Sequence, residues 1–178
     1  MENKVSGLKT DFAPVREDAS RIIVAYGLTK LNKTNYEWYE VYFYKKQHAQ
    51  VSFADIKQAI IADIDARTVE RITSGFVWTP LAEGAEPINV WLSTENQLNF
   101  KAAYDLAVQK QGSTLPVTFK LGEKEDGTPV YHTFETMEEA DDFYTKAVAY
   151  VNQTLAEGWA VKDAVDWTPY QPATETKE

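Results

Sequence analysis

Cysteine is missing altogether from the 178 residues. That excludes disulfides, thiolate metal sites and cysteine nucleophiles, and it fits a reducing cytoplasm. Histidine is scarce: only His48 and His132 occur. Neither lies in an HxH, HxxxH or His–acid spacing, so no metal site is expected. Phosphate-cradling loops are absent too, since neither GxxxxGK(S/T) nor GxGxxG occurs, and the GxSxG nucleophile elbow is missing. No run approaches about 18 consecutive apolar residues, so no transmembrane helix is expected. The opening MENKVSGLKTDF has no apolar core of the signal-peptide kind. Basic side chains are outnumbered, 18 against 27 acidic, for a formal net charge of −9. Such a balance repels phosphate backbones, which argues against nucleic acid as a partner.

What the chain has is rings. Five Trp, 10 Tyr and 8 Phe make up 13% of the residues, and each can bury roughly 150–250 Å². A core needs no staples at that density, and one domain is the default expectation at this length.

Residues 1–19 lack clear periodicity and are expected to form an extended N-terminal arm. Over 20–50, RIIVAYGLTKL and YEWYEVYFYKK flank a polar Asn32-Lys33-Thr34-Asn35 turn, the pattern of a β-hairpin. Its second strand is aromatic on both faces, with Tyr39, Val41 and Phe43 on one and Trp38, Tyr42 and Tyr44 on the other. Such a strand needs packing on each side. The remaining core is expected over 51–167. Ser52 with Asp55 reads as a capping box, followed by Phe53, Ile56, Ile60, Ile64 and Ile72 near helical spacing up to Gly75. FVWT and INVWL form a second hairpin, and Ser93 and Thr94 open a second helix with Phe100, Ala103, Tyr104 and Ala107 on its inner face, ending at Gly112. LPVTFKL and PVYHTFE pair across Asp126-Gly127. Thr136 and Glu139 then form a capping box before a stripe of Ala140, Phe143, Tyr144, Ala147, Val148, Val151 and Leu155, stopped by Gly158. WAVKDAVDW adds a short helix, and 168–178 reads as a flexible tail.

The expected fold class is therefore α+β: three successive hairpin–helix (ββα) units, with antiparallel sheet and helices packed on one face. The last two units share punctuation, with Pro87 and Pro129, and Thr94 and Thr136, each 42 residues apart. Convergent hairpin–helix punctuation and internal duplication both account for that spacing.

The search for chemistry returns little. Asp63, Asp65, Glu95, Asp163 and Asp166 are scattered, while Glu138, Glu139, Asp141 and Asp142 fall in the first turns of a helix, where they complement its dipole. No catalytic residue, metal ligand or cofactor is expected. The candidate surface is aromatic: Trp38, Tyr42 and Tyr44 on one strand face, Trp78 and Trp91 facing across the second hairpin, and Trp159 with Trp167 and Tyr170 near the end. Core packing, a protein–protein interface and a stacking surface for sugars all remain open readings of these rings.

Gly75-Phe76-x-Trp78, Ile88-Asn89-Val90-Trp91-Leu92 and Ser93-x-Glu95-Asn96-Gln97-x-Asn99 resemble a domain family of unknown function found in bacteriophage and prophage proteins. The lead-in helix with Asp63, Asp65, Ala66 and Arg67, and the run Tyr131-x-Thr133-Phe134 before an acidic helix, extend the likeness over roughly 53–167. Members commonly occur among tail or tail-fibre-associated proteins. The resemblance implies context and carries no catalytic residues; the long hairpin at 21–46 lies outside it. The resulting expectation is a non-enzymatic virion or assembly component, made in the host cytoplasm, that contacts other phage proteins or copies of itself. A carbohydrate- or receptor-binding module using exposed rings is the alternative.

Overall fold

The folded chain divides into two compact units, Met1–Ala66 with Trp159–Glu178, and Arg67–Gly158. A computed structural model describes residues 3–48 and 50–171. The architecture is α+β, with antiparallel sheets and three α-helices. The chain leaves the first unit within helix α1 (Phe53–Ser74) and returns within α3 (Met137–Asp163).

The first unit is built on a four-stranded sheet of β1 (Lys4–Leu8), β2 (Val15–Glu17), β3 (Arg21–Lys30) and β4 (Asn35–Tyr44), in the order β1-β4-β3-β2. The expected hairpin is its centre, with Val24 opposite Val41 and Ile22 opposite Phe43. Those side chains and Tyr26 meet Ile56, Ile60 and Ile64 of α1 in one core. Ile60 is wholly buried, and burial of such an aliphatic contributes about 1.5–3 kcal/mol. The Ser52–Asp55 capping box forms as expected: Asp55 accepts from the Ser52 amide at 2.9 Å, and the Asp55 amide donates to Ser52 Oγ at 3.2 Å.

Residues 3–19 depart from the arm expected over 1–19; 1 and 2 lie outside the described residues. Lys4–Leu8 pairs with β4 and Val15–Glu17 with β3, on opposite edges of the sheet. Polar, short edge strands carry almost no period-two signal, so the sequence hides them. The connection between them crosses the sheet face opposite α1. There Phe12 meets Trp38 edge-on at 5.9 Å between ring centroids, and Gly7 lies so close to Trp38 that a Cβ would sit 3.0 Å from its ring. The expected tail departs as well. Thr168–Tyr170 forms a 3-10 turn whose Tyr170 is buried and donates its hydroxyl to the Ala25 carbonyl at 2.7 Å; 172–178 lie outside the described residues.

In the second unit two ribbons, β5 (Phe76–Trp78) with β6 (Ile88–Val90) and β7 (Val117–Glu123) with β8 (Pro129–Phe134), share a core with α2 (Thr94–Gln109) and α3. Phe143 is the hub, within about 6 Å of Phe76, Trp78, Phe100 and Phe134. The described strands therefore form three sheets instead of one continuous sheet. A backbone bond from Trp91 N–H, just past β6, to Leu121 O of β7 at 2.8 Å joins the two ribbons.

Helix α3 does not stop at Gly158 but runs on to Asp163, absorbing the separate short helix expected after it. Gly158 is a contact glycine: a Cβ there would stand 2.4 Å from Thr68 Oγ1. Close approach, and not a left-handed turn, is what glycine supplies at this point.

Candidate functional site

The even-numbered side chains of β4 face away from α1, and a carboxylate sits among them. Glu40 is 3% exposed. Its Oε1 accepts from Trp38 Nε1 at 2.8 Å and from Arg16 at 2.7 Å, and its Oε2 accepts from the Tyr42 hydroxyl at 3.1 Å. Sheet register explains the assembly. Arg16 of β2 stands opposite Ile23 of β3, which stands opposite Tyr42 of β4; one row further, small Ala25 opposes Glu40 and leaves room for the carboxylate.

Burial alone would raise the Glu40 carboxyl, but the bonds from Trp38 and Arg16, the Arg16 charge and the Tyr42 hydroxyl outweigh it and hold it below its ordinary range. The Tyr42 phenol moves the other way, raised by burial and by the neighbouring Glu40 charge, so it stays a donor. This arrangement fixes side chains in place. A carboxylate with three bonds has little capacity left to take up a proton.

Around this clamp lies a partly exposed rim. The Arg21 guanidinium stands over the Tyr42 ring at 5.0 Å and is held by Asp18 at 2.7 Å. The Asp18 carboxyl is lowered by the Ser20 amide and by Arg21. Tyr44, opposite Arg21, is 54% exposed. Tyr42, Tyr44, Arg16 and Arg21 thus share one face, in a composition typical of interface anchors.

The structure separates the expected ring residues. Trp38 is buried at 2% exposure and serves as a donor to Glu40, so it underlies the face instead of presenting itself. Trp78 is buried at 1% and donates to Asp142 at 3.0 Å; it belongs to the core of the second unit. It does not face Trp91: Trp78 pairs with Ile88, and Trp91 lies past the end of β6 with Lys120 over its ring at 5.6 Å. The hairpin register is one that sequence spacing does not reveal. Trp159, on α3, is largely exposed, while Trp167 meets Phe53 and Tyr170.

Two motifs find local roles. Asn96 and Gln97 donate their side-chain amides back to the Trp91 and Leu92 carbonyls at 3.0 and 2.7 Å, and Ser93 caps the Asn96 amide. The capping box at Thr136 is half formed. Thr136 Oγ1 accepts from the Glu139 amide at 3.3 Å, but the Glu139 carboxylate turns to His132 Nε2 at 3.1 Å, beside Trp78. Glu40 is the residue that sequence reasoning missed. An acid alternating with Trp38 and Tyr42, in a strand with two apolar faces, is the signal that marks it.

Among the described residues no cluster of three or more His, Asp or Glu side chains is placed to hold a metal ion, and no helix is long and apolar enough to cross a membrane. No curated protein and no solved structure matches the chain. A family model does match over residues 55–177, including all of the second unit and helix α1 from its third residue. By that match the chain belongs to the family described as Domain of unknown function (DUF4376).

Proposed function

We propose that this protein is a non-enzymatic docking component that binds other proteins, or copies of itself, through the Tyr42–Tyr44 face of its first unit. The observation carrying this reading is the Glu40 clamp. Trp38, Arg16 and Tyr42 are locked onto one buried carboxylate, which orients Arg16 and Tyr42 before any partner arrives and so lowers the ordering cost of binding. Tyr44 and the Arg21 guanidinium extend the same face outward.

The resemblance of Gly75–Asn99 to domains of bacteriophage and prophage proteins supplies the setting. In this reading the chain is phage-encoded, is made in the host cytoplasm, and acts at or near the tail as a virion part or an assembly accessory. Replacing Tyr42 and Tyr44 together by Ser is expected to abolish association, read by sedimentation velocity and by co-purification with particles, while the circular dichroism spectrum is kept. Wild-type protein that stays monomeric and is absent, by mass spectrometry, from particles and from assembly intermediates overturns the proposal. The exposed Tyr44 ring also suits stacking on a sugar. Saturable glycan binding that is lost in Tyr44→Ser, without any protein partner, would favour that second reading.

A further inference from the structure

The second unit offers a different kind of surface. Helices α2 and α3 lie antiparallel: Tyr104 stacks on Tyr144 at 4.4 Å and bonds to Asp141, while Gln97 and Leu98, earlier in α2, line one groove with Val148, Val151 and Asn152, later in α3. Beyond that contact they part around a groove of about 310 Å³. Its floor is Leu92, Phe100 and Ala147, all buried, and its walls are Leu98 and Val148, left 67% and 39% exposed. An exposed leucine beside an open apolar slot is surface that a second molecule would remove from water.

We propose that this groove takes an apolar helical segment flanked by lysine or arginine from a partner protein. Shape fits the anchor pattern: the slot runs along two helices and presents room for a few aliphatic side chains, the helix-in-groove mode of recognition. Charge selects the flanks. The second unit carries 14 acidic and 7 basic side chains, a net of −7, whereas the first unit with its 13 acidic and 11 basic carries −2. Glu95 lies one turn before Leu98 on α2, and Asp141 lies one turn before Tyr144 on α3, at the opposite end of the groove. The single basic residue in the lining, Lys101, is already held by Asp105. Acidic ends around an apolar centre complement a basic amphipathic helix and repel an acidic one. The proposal concerns a different unit from the Tyr42–Tyr44 face and stands or falls apart from it.

The test uses the full chain and three labelled peptides about 18 residues long, long enough to form a helix on binding. One has Leu at i, i+3, i+4 and i+7 with Lys elsewhere; one has Glu in place of every Lys; one scrambles the Leu/Lys order. Fluorescence anisotropy should show saturable binding of the first peptide only, weakening as salt rises. Leu98→Asp should weaken it by about tenfold or more, because it puts a charge on an apolar wall that the bound peptide would cover. General attraction to an acidic protein would instead be strengthened by the added charge, so the sign of the change decides. Val148→Asp serves as a second variant, and both sites are exposed enough to leave folding intact. Tyr42→Ser with Tyr44→Ser should leave this binding unchanged. Equal binding of the scrambled peptide, or an unweakened Leu98→Asp, overturns the proposal. So does wild-type protein that self-associates through the groove and becomes monomeric in Leu98→Asp, since the occupant is then a second copy.

Discussion

The two units use their rings in opposite ways. In the first, a sheet with aromatic side chains on both faces is covered twice, by α1 on one side and by the chain's own crossing between β1 and β2 on the other. Its acids are largely matched by bases. In the second, two short ribbons and two helices enclose a ring cluster around Phe143, yet α2 and α3 leave Leu98 and Val148 at the surface and the unit carries most of the negative charge. A wide sheet needs two covers and can draw the second from its own N-terminal residues. A narrow ribbon pair closes on its helices first, and what the helices do not bury becomes available to others.

The largest expected break in this contrast comes from Trp78→Ala. It removes a fully buried ring touching His132, Phe134 and Phe143 and should cost about 3–5 kcal/mol. Hydrogen exchange should show the loss concentrated in 67–158; equal loss across both units would dissolve the distinction. Next in size is Glu40→Gln, which leaves Arg16 facing a neutral amide and should cost about 2 kcal/mol, less than a fully buried pair because Arg16 is 37% exposed. Its pH signature sharpens the contrast. Glu40 is lowered in the folded state from an ordinary value of 4.5. Its contribution is therefore complete above that value and is lost as the pH falls through the lower native one. Urea titrations of wild type between neutral and acidic pH should show that loss, and Glu40→Gln should flatten it. The smallest effect has the opposite sign. Thr154 on α3 is 1% exposed and its hydroxyl has no hydrogen-bond partner among the described residues, so Thr154→Val should stabilise by about 1 kcal/mol in thermal melts.

Local chemistry was the legible part of the sequence. Ser52 with Asp55, Ser93 before α2, and Asp126-Gly127 in the last hairpin signal through contacts within a few residues, and each forms where its pattern falls. The strands of the first hairpin were legible because ten residues of β-branched and aromatic side chains leave no other reading. Long-range placement was not. Nothing near Gly158 announces Thr68, and nothing near Trp78 fixes a register that sets it against Ile88. The ring residues divide on the same line. The pattern put Tyr44 and Trp38 on one face without telling them apart: Tyr44 is exposed, whereas the burial of Trp38 depends on Phe12 and Gly7, which lie in a segment with no periodicity of its own. The groove was not legible, since Leu98 falls outside the apolar stripe of α2 and its other wall comes from α3.

One hydrogen bond has a bearing on biosynthesis. Tyr170 reaches back 145 positions to the carbonyl of Ala25, and Val165 and Trp167 pack with it against the same core. On the ribosome, the stretch emerging in the middle holds every strand of its own two ribbons, so it is able to close while translation continues. Strands β1–β4 are made long before Val165, Trp167 and Tyr170, so the four-stranded sheet stays unsealed until those residues follow.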